Sequence, residues 1–291
     1  MTCSSKSTPS NSTTRPPATS KASDLPPWIA SELGITVVPA YVHFGGQVYR
    51  DRVDLSEDEF YERLVSDPIY PSTEPPTPQD FAAVYEELSH EADGIVSIHI
   101  SSKLSATYNS ALQGRKLVET ECPIEVVDSQ LVAMGPGLLV GAANTLAGSE
   151  KSSQRVAEEV KATIPDIHML GLLDTLRYMA LGGRIGWAKA LLGSVLAVKP
   201  MLVMKNGELE PVGRVCSRAK GIDGLLDFVK DARGIQDLAI VYSTTPDEAQ
   251  ALAERMGSLS PTERIRLARL RPALGVHAGP GILFVAVRTG I

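Results

Sequence analysis

GIVSIHISSKLSATYNSALQGRKLVE (residues 94–119) decides the predicted fold, because a strand, a polar loop and a helix follow one another directly in it. The apolar run GIVSIHI (94–100) indicates a buried strand, and the stretch from residue 105 onward has the pattern of a helix. The next run, IEVVD (124–128), predicts a second strand. Strand, helix and strand in this order are typical of βαβ units and a mostly parallel sheet.

The same alternation continues on both sides of these elements. ITVVPAYV (35–42) predicts one buried strand. Ser56 with Glu59 predicts a capping box at the start of one helix, and Thr77 followed by Pro78 predicts the start of another. The small residues of MGPGLLVGAANTLAG predict a helix that packs closely against its neighbours.

Beyond about residue 160 the pattern changes. Asn206-Gly207 between two apolar runs predicts a β-hairpin, and two helices with a strand between them follow. The end, RLARLRPALGVHAGPGILFVAVR, is interpreted as strand, glycine loop and strand. We therefore predict an α/β protein with a disordered Ser/Thr/Pro-rich tail and two domains. The predicted boundaries are 1–22 for the tail, 23–163 for a mostly parallel α/β domain, and 164–291 for an α+β domain with a mixed or antiparallel sheet.

Composition excludes several classes of protein. Of the 291 residues 43% are hydrophobic and only 5% aromatic, which favours aliphatic packing. The net charge is −6 with scattered Lys and Arg, so a nucleic-acid partner is not expected. Three widely spaced cysteines form no CxxC pair and indicate a reducing, cytoplasmic setting. Without a long apolar run or a secretory signal, no stable membrane insertion is expected.

Two polar stretches are candidates for binding an anion. In ISSKLSATYNSA, Ser105 or Thr107 lies where a helix begins, and free N–H groups there attract anions; a simple helix cap is the alternative interpretation. In YPSTEPPTP (70–78) the prolines hold the chain extended and fix where Thr73 points; a rigid linker is the alternative.

Two further stretches contain candidate site residues. Gly182-Gly183 predicts the end of a short helix, with Arg184 in the turn. His277 precedes Gly279-Pro280-Gly281, which holds its backbone closely, although a lone histidine is more often structural. An apolar set fits either the core or the wall of a binding site: Leu191, Leu192, Val195 and Leu196.

Signatures of catalysis and of cofactors are missing from the sequence. There is no GxGxxG or GxxxxGK[ST] loop, Ser105 is not in a GxSxG motif, and the histidines lack metal-ligand spacing. Neither Asp93 nor Asp128 is selected as part of an acid–base pair. We therefore expect a binding protein without a cofactor, a metal or catalytic machinery of its own.

The chain resembles the DegV family, whose motifs occur in order from about Asp24 to Arg288. The matching segments are DLPPWIASELGITVVPAYVHFGGQVYRDRVDLSEDEFYERL, PSTEPPTP, ISSKLSATYNSA, VVDSQLVAMGPGLL, LDTLRYMALGGRIG and HAGPG. The resemblance implies an EDD-type fold with two domains and one long-chain fatty acid buried between them. It also implies a carrier that presents the carboxylate to the catalytic subunit of a fatty acid kinase.

Site residues are carried over by motif. Thr73 and Ser105 are implied as hydrogen-bond partners of the fatty-acid carboxylate, with His277 and Arg184 near the same polar end. The chain departs from the family pattern at the positions that hold Thr19-Ser20-Lys21, Glu74-Pro75-Pro76, Ala106 and Cys216, the last between Arg214 and Arg218. Two other hypotheses stay open: a serine hydrolase or acyltransferase using Ser105 and His277, and a small-molecule kinase subunit similar to a dihydroxyacetone kinase domain.

Overall fold

The structure is a computed structural model that describes residues 19–20, 25–147, 152–186, 198–259 and 265–290. Its helices are α1 Pro27–Glu32, α2 Glu57–Ser66, α3 Pro78–Ser89, α4 Thr107–Leu117, α5 Met134–Ala147, α6 Ser153–Thr163, α7 Arg177–Leu181, α8 Arg218–Asp231, α9 Pro246–Met256 and α10 Pro272–Ala278. Its strands are β1 Thr19–Ser20, β2 Val37–Val38, β3 Tyr41–Phe44, β4 Gln47–Arg50, β5 Ser72–Glu74, β6 Ile95–His99, β7 Ile124–Asp128, β8 Ile167–Leu172, β9 Lys199–Lys205, β10 Glu208–Val215, β11 Ile235–Tyr242, β12 Ile265–Arg269 and β13 Leu283–Thr289.

The strands form three sheets. A four-stranded sheet in the order β2-β1-β6-β7 is parallel throughout. A six-stranded sheet in the order β10-β9-β8-β13-β11-β12 is mixed, with β11 and β12 as its parallel pair. The third sheet, β4-β3-β5, is antiparallel. The predicted α/β class with a parallel and a mixed sheet is confirmed, whereas the division into domains at residues 163–164 stays a prediction.

The six-stranded sheet separates two apolar cores, because successive side chains of its strands point to opposite faces. On one face Leu172 and Val285 pack in a core with Leu225 of α8. On the other face Met169 and Phe284 belong to the core that contains much of α5. The hairpin predicted at Asn206-Gly207 joins β9 and β10, with both turn residues at positive φ (50° and 80°) as a type I′ turn requires.

The interpretation of ITVVPAYV as one strand is wrong. The segment forms Val37–Val38 in the parallel sheet and Tyr41–Phe44 in the antiparallel sheet, with Pro39 between them. Proline has no N–H to donate to a ladder, so it interrupts a strand at this point. The break is what allows β3 to pair with β5, which carries Thr73 opposite Val42.

The capping box predicted at Ser56 and Glu59 is only half formed. Ser56 accepts a hydrogen bond from the Glu59 N–H at 3.3 Å, but the Glu59 carboxylate lies 3.8 Å from the Arg63 guanidinium. A complete box occurs instead at Thr77 and Asp80, with N–H to side-chain distances of 3.2 and 2.8 Å. The start of α3 at Pro78 is as predicted.

Other differences lie near the ends of the chain. RPALGVHAGPG is not only a glycine loop, because Pro272–Ala278 forms α10 and places His277 in its last turn. Thr19–Ser20 forms β1, which contradicts the prediction of disorder for the whole of residues 1–22. The rest of that segment, and the apolar set Leu191, Leu192, Val195 and Leu196, lie outside the described residues. Among the described helices none is long and apolar enough to cross a bilayer.

A chain of polar side chains is buried between the parallel sheet and α3. Tyr85 donates to the Ser97 hydroxyl at 2.8 Å, and Ser97 in turn lies 2.7 Å from Nε2 of His99. The His99 ring is fully buried beside Phe81, and burial lowers its pKa from 6.5 to about 3. His99 is therefore neutral in the folded protein at neutral and mildly acidic pH.

We expect His99 to make stability depend on pH. Because its pKa is lower in the folded than in the unfolded chain, unfolding takes up a proton below pH 6.5, and stability falls as the pH drops. Between pH 7 and pH 5 this histidine should lower the free energy of unfolding by about 2 kcal/mol. In urea unfolding, the free energy of unfolding of His99→Gln should fall less between pH 7 and pH 5 than that of the parent, by this amount. His90→Gln, at an exposed position, should lose as much as the parent. Identical pH profiles for all three proteins would contradict this expectation.

Candidate functional site

A cavity lies between the six-stranded sheet and the elements of the N-terminal half. The space between its protein atoms, including the solvent-filled opening, is about 1000 Å³. Its walls are mostly aliphatic. They include Ala40, Ile100, Leu104 and Val132 from the N-terminal half and Leu173, Met179, Leu202, Leu270, Ile282 and Phe284 from the C-terminal half.

Four polar side chains form part of this lining. Thr73, Ser105, Arg184 and His277, the four residues named from the sequence, all line the same cavity. They come from four separate places: β5, the loop before α4, the turn after α7, and α10. Residues as far apart in sequence as 73 and 277 are therefore brought to one site by the contacts of α10 with β5 and α7.

Thr73 and His277 are in direct contact. The Thr73 hydroxyl lies 3.0 Å from Nε2 of His277. The pKa of His277 is lowered from 6.5 to about 4, mainly by burial and also by the positive charge of Arg184, while the Gly182 carbonyl acts in the opposite direction. The imidazole is thus neutral at pH 7. Its Nδ1 atom is buried against Gly182 without a hydrogen bond of normal geometry.

Ser105 and Thr107 form a second pair of hydroxyls. Their oxygens lie 2.7 Å apart, and the Thr107 N–H donates to the Ser105 oxygen at 3.2 Å. Helix α4 begins at Thr107, and the residue before it, Ala106, has no side chain that could cap the helix. The first turn of α4 therefore brings partial positive charge to the cavity.

Arg184 lies at the mouth of the cavity. It is exposed, and its guanidinium donates to the Gly182 carbonyl at 2.8 Å. No ion pair joins it to a carboxylate in the part of the chain that the structure describes. A more polar recess of about 790 Å³ adjoins the cavity and shares Ser105 and Arg184 with it; Ser102, Lys103, Asn109 and Glu208 are among its other lining residues.

Glu74 follows Thr73 directly, but its carboxylate is turned away from the cluster. It lies 3.3 Å from Nε2 of His43, and the Glu74 side chain is 68% exposed. This acidic residue, which departs from the family pattern, forms an ion pair with His43 only if the imidazole is protonated. It adds little negative charge at the Thr73 hydroxyl, because solvent screens exposed charges.

Tyr70 is a residue of the site that the sequence did not reveal. Its hydroxyl hydrogen-bonds to the carbonyl of Val276, next to His277, and lies 3.3 Å from the carbonyl of Tyr178 in α7. Burial raises its pKa to about 12, so the phenol stays protonated and can donate. Tyr70 thus ties α10 to α7 and helps to fix His277. Only the contact itself identifies it, since nothing distinguishes this tyrosine in the sequence.

Gly182 has a steric role beyond ending α7. A β-carbon at this position would lie 2.1 Å from Nδ1 of His277, so only glycine leaves room for the ring. Its φ is −78°, which alanine adopts without strain. We expect Gly182→Ala to displace the imidazole, to break its contact with Thr73 and to weaken ligand binding about tenfold or more, at a cost in stability of about 1 to 3 kcal/mol.

The matched control for Gly182→Ala is Gly213→Ala on β10, where a β-carbon would meet nothing within 4 Å. Ligand dissociation and thermal unfolding should be measured for both variants. Unchanged binding by Gly182→Ala would show that the position of the His277 ring does not matter to the ligand.

The geometry bears on catalysis and on metals as well. A serine nucleophile needs a base within hydrogen-bond reach, yet Ser105 is bonded to Thr107 and His277 to Thr73. A histidine with a pKa of about 4 is also a weak base at neutral pH. Within the described residues no group of three or more His, Cys, Asp and Glu side chains is placed to hold a metal ion.

Comparisons with known proteins agree with the resemblance seen in the sequence. The sequence profile described as "Uncharacterised protein, DegV family" matches residues 19–289. A DegV domain-containing protein of Deinococcus radiodurans is 34% identical over 272 residues, covering 92% of this chain and 96% of that protein.

Solved structures show the same similarity. A fatty-acid-binding DegV family protein from Thermus thermophilus superimposes with a TM-score of 0.87 at 32% identity, over 94% of this chain and 99% of that one. The fatty acid binding protein DegV of Bacillus subtilis superimposes with a TM-score of 0.85 at 24% identity and equal coverage, which shows the common fold. The match over nearly the whole chain establishes that this protein belongs to the DegV family.

Proposed function

We propose that the cavity holds one long-chain fatty acid, with its carboxylate bound by Thr73 and Ser105 and its tail along the aliphatic walls. The observation that carries the proposal is the cavity itself, which is apolar over most of its lining and has hydroxyl groups and a neutral imidazole in its wall. A carboxylate is costly to bury unless it is hydrogen-bonded, and these groups supply donors.

The Thr73 and Ser105 hydroxyls each have a neighbouring side chain that can donate a hydrogen bond to them. If Nε2 of His277 carries the ring proton, it donates to Thr73, and the Thr73 hydroxyl proton is left for a ligand. If Thr107 donates to Ser105, the Ser105 proton is left in the same way. A bound carboxylate selects this arrangement, because it accepts hydrogen bonds and cannot donate them.

Charge at the site also favours an anion. The N-terminus of α4 directs its partial positive charge toward Ser105 and Thr107, and Arg184 adds a full charge at the mouth. Among the described residues that line the cavity, Glu74 is the only acidic one, and its side chain is 68% exposed, so solvent screens its charge. The carboxylate would thus be held by neutral donors close by and attracted by a cation at somewhat longer range.

The tail supplies most of the binding free energy in this proposal. Each buried methylene is worth about 0.8 kcal/mol, so a chain of roughly 15 methylenes contributes on the order of 12 kcal/mol before the cost of immobilisation. Slow dissociation without any chemical step follows from these magnitudes. The Thermus thermophilus relative, described as binding fatty acid, supports the same ligand class here.

The test is to identify what the purified protein contains. Denaturing extraction followed by mass spectrometry should release about one fatty acid per chain, and delipidated protein should take up oleate in the same ratio. Protein that carries no lipid and does not bind added oleate would refute the proposal.

A finer proposal is that the protein is a carrier, which presents the carboxylate to the catalytic subunit of a fatty acid kinase. Support comes from the position of Ser105 and Arg184, which lie where the cavity meets the polar recess. Arg214 near the end of β10 and Cys216 directly after that strand are both exposed, whereas Arg218 is bound to Asp174 and Glu248. ATP turnover by such a subunit that requires the fatty-acid-loaded chain would support the role, and turnover independent of it would refute it.

Catalysis by Ser105 is the competing proposal, and both Ser105 and His277 do line one cavity. A serine-directed fluorophosphonate distinguishes the two. We expect no labelling, because Ser105 is hydrogen-bonded to Thr107 and not to a base. Labelling that disappears in Ser105→Ala would establish a hydrolase or acyltransferase instead.

A further inference from the structure

Phe284 of β13 lies directly opposite Gly171 of β8, and Gly171 lies opposite Leu202 of β9. Directly opposed residues point to the same face of a sheet, which here is the face toward the cavity. Phe284 and Leu202 line the cavity, but Gly171 does not. The reason is that the Phe284 ring covers it: a β-carbon at Gly171 would lie 2.4 to 2.8 Å from three atoms of the ring.

The next residues on this face mark where the cavity ends. Toward the start of β13, Ile282 lines the cavity together with Leu173. In the other direction Met169 and Ala286 oppose each other, are buried, and take no part in the lining. Their space is filled from α5, since a β-carbon at Gly135 would lie 2.7 Å from the Met169 sulfur. Along β8 and β13 the cavity therefore ends at Phe284.

We infer that Phe284, folded back over the missing side chain of Gly171, sets how much acyl chain the cavity accepts. The inference rests on the proposed function, because it concerns the tail of the same fatty acid. Val241, the other cross-strand neighbour of Phe284, is fully buried and closes that side. A side chain at position 171 would therefore push the ring into the open space beside it, which is the cavity.

Two substitutions should change chain preference in opposite directions. Gly171→Ala should move the ring into the cavity and shorten it, whereas Phe284→Leu should enlarge it. Each buried methylene is worth about fourfold in affinity. We expect the ratio of stearate to myristate affinity to fall about four- to sixteenfold in Gly171→Ala and to rise by a similar factor in Phe284→Leu.

The measurement is competition of myristate, palmitate and stearate for delipidated protein, with secondary structure and thermal unfolding recorded for each variant. Gly213→Ala controls for the added methyl group, because a β-carbon there meets nothing within 4 Å. Phe228→Leu controls for the lost ring, because Phe228 packs in the core on the opposite face of the sheet. Both controls should keep the parental ratio.

The outcomes separate the inference from the function on which it rests. Parental protein that binds none of the three acids refutes the fatty-acid proposal itself. Parental protein that binds them, with ratios unchanged in both variants or shifted in the same direction, overturns the role of Phe284. If one variant does not fold, the other decides the question: a stearate-to-myristate ratio that changes in the expected direction supports the role of Phe284, and any other result overturns it.

Discussion

Replacing both Thr73 and Ser105 by alanine is expected to release the fatty acid. In the proposed complex each hydroxyl donates to the carboxylate, and a hydrogen bond to a charged group is worth about 1.5 to 3 kcal/mol, or roughly 10- to 100-fold in affinity. The double variant should lose about 100- to 10,000-fold if the two contributions add. Occupancy after purification and the rate of oleate dissociation are the measurements.

Conservative variants provide the control. Thr73→Ser keeps the hydroxyl that contacts His277 and should retain ligand, whereas Thr73→Val keeps the shape and loses the donor. Neither side chain is part of the main apolar cores, so the fold should persist in all variants. Full occupancy in the double variant would place the carboxylate elsewhere in the cavity.

The order of elements was predictable because it depends on local pattern. Apolar runs indicated β6 and β7, a proline after threonine indicated the start of α3, and Asn206-Gly207 indicated the hairpin. Helix α10 was missed because it is only seven residues long and has Gly275 in its middle. That glycine is explained by packing: a β-carbon there would lie 2.5 Å from the ring of Phe60.

The site was predictable only in part. The resemblance to the family's motifs named four residues, and all four line one cavity. Tyr70, Gly182 and Gly171 act through contacts with residues about 90 or more positions away, such as Val276, His277 and Phe284. Long-range contacts of this kind leave no periodicity or spacing in the sequence, so only the folded chain reveals them.

Gly281→Ala is expected to destabilise the folded protein strongly. Gly281 has a φ of +73°, which is unfavourable for alanine, and its β-carbon would lie 2.2 Å from a carboxylate oxygen of Asp174. That carboxylate cannot move freely, because Lys199 and Arg218 hold it at 3.0 and 3.2 Å. Arg218 also pairs with Glu248 at 2.7 Å, so the loop is tied to α8 and α9.

Backbone strain and the steric clash together should cost about 3 to 5 kcal/mol, which lowers the melting temperature by about 5 to 8 °C in a protein of this size. Gly213→Ala, with open space around its β-carbon, should change the melting temperature little. A double-mutant cycle with Asp174→Ala identifies the cause. If the clash dominates, the double variant should be more stable than the sum of the single effects predicts, because removing Asp174 makes room for the methyl group. Strict additivity would mean that backbone strain alone makes glycine necessary, and that Asp174 matters only through its ion pairs.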